Sequence, residues 1–148
     1  NMLKGIGQQM KWSVRDESLH SKMGCKLYRD MCAENNQLKD LCRNDIIKAA
    51  ETMVDLEYKY IDKMFEMGDI EGIKSNDLKH FIKKRTNEKL VELGYTDLGS
   101  YFTYDKAAAD NLDWFYHLTG GLTHTDFFAV RPTDYSKANE GEDFEDIW

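Results

Sequence analysis

A single proline, Pro132, occurs in the whole 148-residue chain, so nothing before it removes a donor from a helical hydrogen-bond ladder. The apolar residues of that long stretch recur at three- and four-residue steps, the period of an α-helix with one covered face. The spacing predicts a first helix from about Gln8 to Ala33, with Ser13, Glu17, His20, Gly24, Leu27 and Met31 on one face. Gly24, Leu27 and Met31 predict that this face turns towards a core. A second helix, from about Lys39 to Met67, carries Ile47, Ala50, Val54, Tyr58, Ile61 and Phe65 as its stripe, and the GDIEG segment ends it. A third, from about Asn76 to Leu93, has Leu78, Phe81, Ile82, Leu90 and Leu93 for a buried face, Asp77 in its first turn and Gly94 just past its end. Beyond Gly94 the pattern weakens to a loop, a short helix near Ala107 to Tyr116, and a stop at Gly120 and Gly121. Long amphipathic helices with short joints describe an all-α helical bundle.

Charge and composition then narrow the function. A net charge of −7 and a pI near 5.1 argue against a nucleic acid held on a basic surface. No apolar run approaches the ~20 residues that span a bilayer, and NMLKGIGQQMKW lacks the apolar core of a signal peptide, so no membrane is expected. Cys25, Cys32 and Cys42 match no zinc or redox spacing and are expected to be reduced, packed thiols, which favours the cytoplasm. Beyond Arg131 the chain is rich in Ser, Asn, Gly and acids and is expected to stay disordered when alone. The domain expectation is a helical portion over 1–118 and a flexible tail over 119–148. The tail closes on Phe144, Ile147 and Trp148 set among acids, a spacing suited to docking into a partner's groove.

Glu17 and His20 are the residues with the clearest chemistry. Three apart on a helix, a carboxylate and an imidazole can converge on one ion. Burying them together is costly unless they bind a cation or each other. Mixed carboxylate and imidazole donors suit iron or manganese better than thiolate-seeking metals. Asp77 and His80 share the spacing but fall at a polar helix start, where solvation is the simpler reading. A dinuclear bundle site needs a second Glu-x-x-His and two further carboxylates, and no second Glu-x-x-His occurs in this chain. Either another polypeptide completes such a site or this chain has none.

KGIGQQMKWSVRDESLH, then FEMGDIEGI, NLDWF, HTDFFAVRPTDYSKA and the terminal DFEDIW resemble, in order, the C-terminal half of the small (radical-generating, β) subunit of class I ribonucleotide reductase. The resemblance covers nearly the whole chain. It implies a ferritin-like helical bundle and a dinuclear iron, manganese or mixed centre. By position, Glu17 and His20 match the second Glu-x-x-His, ligands to one metal. Asp16 matches a carboxylate beside the ligands that is linked to the radical-transfer path. Tyr135 matches the tail tyrosine that relays the radical, and Phe144, Ile147 and Trp148 lie in the segment that docks on the large subunit. The remaining ligands and the stable-radical tyrosine belong upstream of Asn1 in this family, so none of the eight tyrosines here is assigned that role. The expectation is an N-terminal half supplied as a second polypeptide, with the completed subunit a homodimer.

Two other readings stand beside this one. A non-catalytic helical binding module would recruit a partner through its acidic aromatic tail, with Glu17 and His20 merely paired. A ferritin-like oxidase or storage protein would share the bundle but has no use for the long tail.

Overall fold

A computed structural model describes residues 4–68 and 70–114, and the architecture over those residues is all-α. Helix α1 spans Lys4–Glu34, α2 Leu38–Phe65, α3 Ser75–Glu92 and α4 Lys106–Asp110, with a 3-10 turn at Thr96–Leu98. Three expected helices are thus present within a few residues of their predicted bounds. The fourth is shorter than the predicted Ala107 to Tyr116, and residues from 115 onward lie outside the described set.

The joints follow from local chemistry. Between α1 and α2 the Asn35 side-chain oxygen accepts from the Gln37 amide at 3.1 Å, closing a tight asparagine turn. α2 runs out into Gly68, whose φ of 117° few other residues would adopt. At the end of α3 the Tyr95 amide donates to the Leu90 carbonyl at 3.0 Å and the Gly94 amide to Val91 at 2.9 Å. This is a Schellman cap, and Gly94 at φ 104° occupies its left-handed position as the sequence predicted. α4 starts on Asp105, whose carboxylate accepts from the Ala107 amide at 2.9 Å.

The core gathers where α2, α3 and the 92–102 turn meet. Ala50, Leu90, Tyr95 and Leu98 are buried there, with Tyr28, Ile46, Ile47, Leu93 and Phe102 packed against them. Val54 and Ile61 continue the expected stripe of α2 inward. Tyr95 is fully buried and donates its hydroxyl to the Lys39 carbonyl at 2.8 Å. Its single proton being spent there, Tyr28 is the donor across the 2.6 Å contact between the two hydroxyls. The Lys39 ammonium and Arg43 guanidinium stand 5.3 and 5.7 Å from the Tyr95 ring centroid. Asn87, also buried, bonds the Phe102 backbone through both ends of its amide, each at 2.9 Å. α4 is tied to α3 by Lys84, whose ammonium reaches Asp110 at 2.8 Å and Asp113 at 2.7 Å.

α1 departs from the expectation. Its packed side is the Cys25, Tyr28 and Cys32 stripe, not the face of Glu17, His20, Gly24, Leu27 and Met31. The two stripes lie about a quarter turn apart at 100° per residue. Leu27 is 63% exposed and Met31 48%. The predicted face is polar at Ser13, Glu17 and His20 and apolar at Leu27 and Met31, as read, but no described residue covers it. Trp12, Leu19 and Met23 are exposed a further quarter turn round, so roughly half the circumference of α1 is uncovered, these apolar residues standing among Asp16, Glu17, His20 and Asp30. All three cysteines are free thiols, Cys25 buried and the other two partly so. Burial, then the nearby Glu92 carboxylate, pushes the Cys25 thiol up from its ordinary pKa.

Candidate metal-binding face

The helical register of α1 brings Glu17 and His20 together as the spacing predicted. Their Oε2 and Nδ1 atoms stand 3.9 Å apart, with side chains 75% and 64% exposed. Among the described residues this is the one close polar contact either side chain makes. Asp16, adjacent on the same helix, is likewise exposed. Ser18, on another side of the helix, returns its hydroxyl to the Val14 carbonyl at 2.8 Å. The pair occupies the middle of α1, flanked along the helix by exposed Ile6, Met10, Leu27 and Met31.

The donor chemistry fits part of a mixed carboxylate and imidazole site. It is only a part: among the described residues no group of three His, Cys, Asp or Glu side chains is gathered closely enough to hold a metal ion. Any further donors to such a site would lie outside the described residues. An open face with polar donors in an apolar surround is suited to that, since covering it would both bury Leu27 and Met31 and exclude water from the ion.

Asp77 and His80, expected to be solvated at a helix start, are instead half-buried and bonded to other segments. The Asp77 carboxylate accepts from the Asn111 amide at 2.8 Å, and His80 Nδ1 accepts from the Asp105 backbone amide at 3.1 Å. Both are engaged in seating α4 against α3. Tyr135, Phe144, Ile147 and Trp148, which the sequence singled out, lie outside the described residues.

One feature of α2 went unread in the sequence. Ala49, Met53, Leu56 and Tyr60 form a second apolar stripe, an open face of α2 that Asp45 and Glu57 flank. Met53, Leu56 and Tyr60 are exposed along it. The 4-3-4 spacing of these residues was the available signal. The buried stripe on the other side of α2, with stronger β-branched and aromatic content, masked it.

No described helix is long and apolar enough to cross a membrane. The chain is 32% identical over 143 residues to a probable ribonucleoside-diphosphate reductase small subunit of Invertebrate iridescent virus 3, covering 93% of this chain and 36% of that protein. A probable small subunit of the same enzyme from Invertebrate iridescent virus 6 is 27% identical, covering 99% of this chain and 46% of the relative. The ribonucleoside-diphosphate reductase subunit beta of Chlamydia pneumoniae is 23% identical, over 93% and 38%. The chain therefore spans between about a third and a half of the length of these relatives. No solved structure matches it. Residues 1–101 match the family model described as ribonucleotide reductase, small chain, and on that match over most of its length the chain belongs to the ribonucleotide reductase small chain family.

Proposed function

We propose that the chain acts as the C-terminal portion of a ribonucleotide reductase small subunit, contributing part of a dinuclear metal site to a larger assembly. The observation that carries this reading is the Glu17 and His20 pair, one helical turn apart at the centre of an apolar face left open. Glu17 supplies an anionic oxygen donor and His20 a neutral nitrogen donor to one metal. Asp16 would orient the groups of the completed site from beside the ligands. When bound, the iron or manganese centre supplies a one-electron oxidant.

The remaining roles fall to the tail. Tyr135 passes an electron and its phenolic proton on together, relaying oxidation from the small subunit to the large one. Phe144, Ile147 and Trp148 dock by burying apolar area on the large subunit, while Glu145 and Asp146 remain at the wet rim. The reaction is the reduction of ribonucleoside diphosphates to deoxyribonucleotides, after the names of the relatives. The donors this chain lacks would come from a polypeptide equivalent to the length of the relatives that it does not span, and the completed subunit would be a homodimer. The helical portion over 1–118 builds the site and the segment over 119–148 serves the large subunit.

The test is reconstitution. The chain, a polypeptide equivalent to the N-terminal part of a relative and a large subunit are combined with iron or manganese, and ribonucleoside diphosphate reduction is followed. Activity that requires all three proteins and is abolished by His20→Ala is expected. Activity indifferent to His20 would overturn the assignment.

A further inference from the structure

We propose that two copies of this chain pair through the open face of α2, the two helices lying antiparallel about a twofold axis that passes between Thr52 and Met53. Beyond the homodimer proposed above, this commits to a face, a direction and a register. It needs no metal, and neither Glu17 nor His20 takes part.

Ala49, Met53, Leu56 and Tyr60 run down this face, with Asp45 and Lys48 beside them, and all six are exposed. The residues that line it all come from α2, so neither α1 nor α3 closes over it. At about 100° per residue it lies on the side of α2 turned away from Ala50, Val54 and Ile61, which carry the core. A second helix can therefore reach it without disturbing the packing of the first.

The order of residues along the face complements its own reverse. Helical rise sets Ala49 and Leu56 about 5 Å from the axis on opposite sides of it, so the small residue of one copy meets the large one of the other. Asp45 and Tyr60 stand about 11 Å from the axis in the same way, and the carboxylate can accept from the hydroxyl across the interface. Asp45, Lys48, Asp55 and Lys59, all exposed, follow one flank of the face. The same register brings Lys48 within about 3 Å of the level of Asp55 of the other copy, and Asp45 within about 2 Å of the level of Lys59. Both acids of one copy thus find a lysine of the other. Parallel pairing would set each of these charges against its own like, which is repulsive.

The rest of the helix suits the same arrangement. α2 spans 28 residues, Leu38–Phe65, and the axis falls about one residue from its midpoint, so nearly the whole helix overlaps its mate. The Thr52 hydroxyl is returned to the Lys48 carbonyl at 2.8 Å, which leaves nothing polar stranded where the two helices come closest. Met53, Leu56 and Tyr60 supply the apolar area that association removes from water. The flanking charges fix direction and register more than they add affinity. Twofold dimers with one self-complementary face are the commonest closed assembly.

Sedimentation velocity of the full chain over a range of concentrations tests this. The expected result is a monomer–dimer equilibrium with a Kd on the order of 10 μM, as befits a small interface. Leu56→Asp, at a side chain 58% exposed in the single chain, abolishes the dimer with helix content by circular dichroism unchanged. Lys48→Glu weakens association at least about threefold, and adding Asp55→Lys to it restores the original strength. Thr52→Cys, at the axis, cross-links the copies on oxidation beyond any background from the native thiols. Asp45→Cys does not, because the two copies of that position stand about 22 Å apart along the helices. A chain monomeric at every concentration, a dimer indifferent to Leu56→Asp, or cross-linking through Asp45→Cys overturns the proposal. Dimers that form only once residues 115–148 are removed overturn it too, as does a polypeptide equivalent to the N-terminal part of a relative that displaces the dimer through a complex Leu56→Asp also abolishes. Metal content of the assembled protein is the separate test of Glu17 and His20, and none of these outcomes decides it.

Discussion

Buried polar side chains set much of what holds this chain together. Asn87 is 2% exposed, and its amide holds both polar groups of the Phe102 backbone. Asn87→Ala leaves a buried carbonyl and amide unsatisfied and is expected to lower stability by about 2 kcal/mol or more, measured by urea unfolding. Tyr95→Phe removes the donor to Lys39 and the acceptor for Tyr28, for an expected loss of about 1–3 kcal/mol by the same measurement. Neither residue was legible in advance. Asn87 sits in KKRTNEK, which reads as a solvated helix surface, and Tyr95 follows a helix-ending glycine where a loop residue is the ordinary expectation. Glu17 and His20 were legible because helical spacing alone brings them together. Their environment was not, since exposure depends on what else packs against α1.

The helices themselves were readable because amphipathic period and glycine position are local properties. Gly94 is the clearest case: its left-handed φ closes α3, and the nearest atom a side chain there would meet is Arg29 Cγ at 3.7 Å. Gly94→Ala is therefore expected to cost about 1 kcal/mol through backbone strain rather than collision, read as a lower thermal midpoint. The packed face of α1 was misread because the helix is apolar over much of its circumference, and periodicity does not say which arc meets a neighbour. α4 shows a different limit. Its end is fixed by ion pairs with α3, which no local pattern reports. Hydrogen bonds from Lys106 and then Lys84 hold the Asp110 carboxyl below its ordinary value, as Arg43 does for Asp97. With folded pKa values below the unfolded ones, this stabilisation is complete above the ordinary carboxylate range and is lost as pH falls through the folded values. The thermal midpoint should drop below about pH 4, and Asp110→Asn should flatten that acid limb.

For the whole molecule, the uncovered face of α1 is the open question, since what would cover it lies outside the described residues. On the function proposed above, oxidant formation and its delivery separate along the sequence. Tyr135→Phe should leave metal loading intact while abolishing nucleotide reduction, whereas loss of metal in that variant would sink the relay assignment. Removing Phe144 to Trp148 should weaken association with the large subunit, and an unchanged affinity by calorimetry would refute docking there. The central claim is that Glu17 and His20 bind a metal in the assembled protein. The most direct measurement is native mass spectrometry with metal analysis of the assembly this chain forms, compared with its Glu17→Gln and His20→Ala variants. The account predicts about two iron or manganese ions per completed site, lost or sharply reduced in both variants. An unchanged metal content in either variant would contradict it.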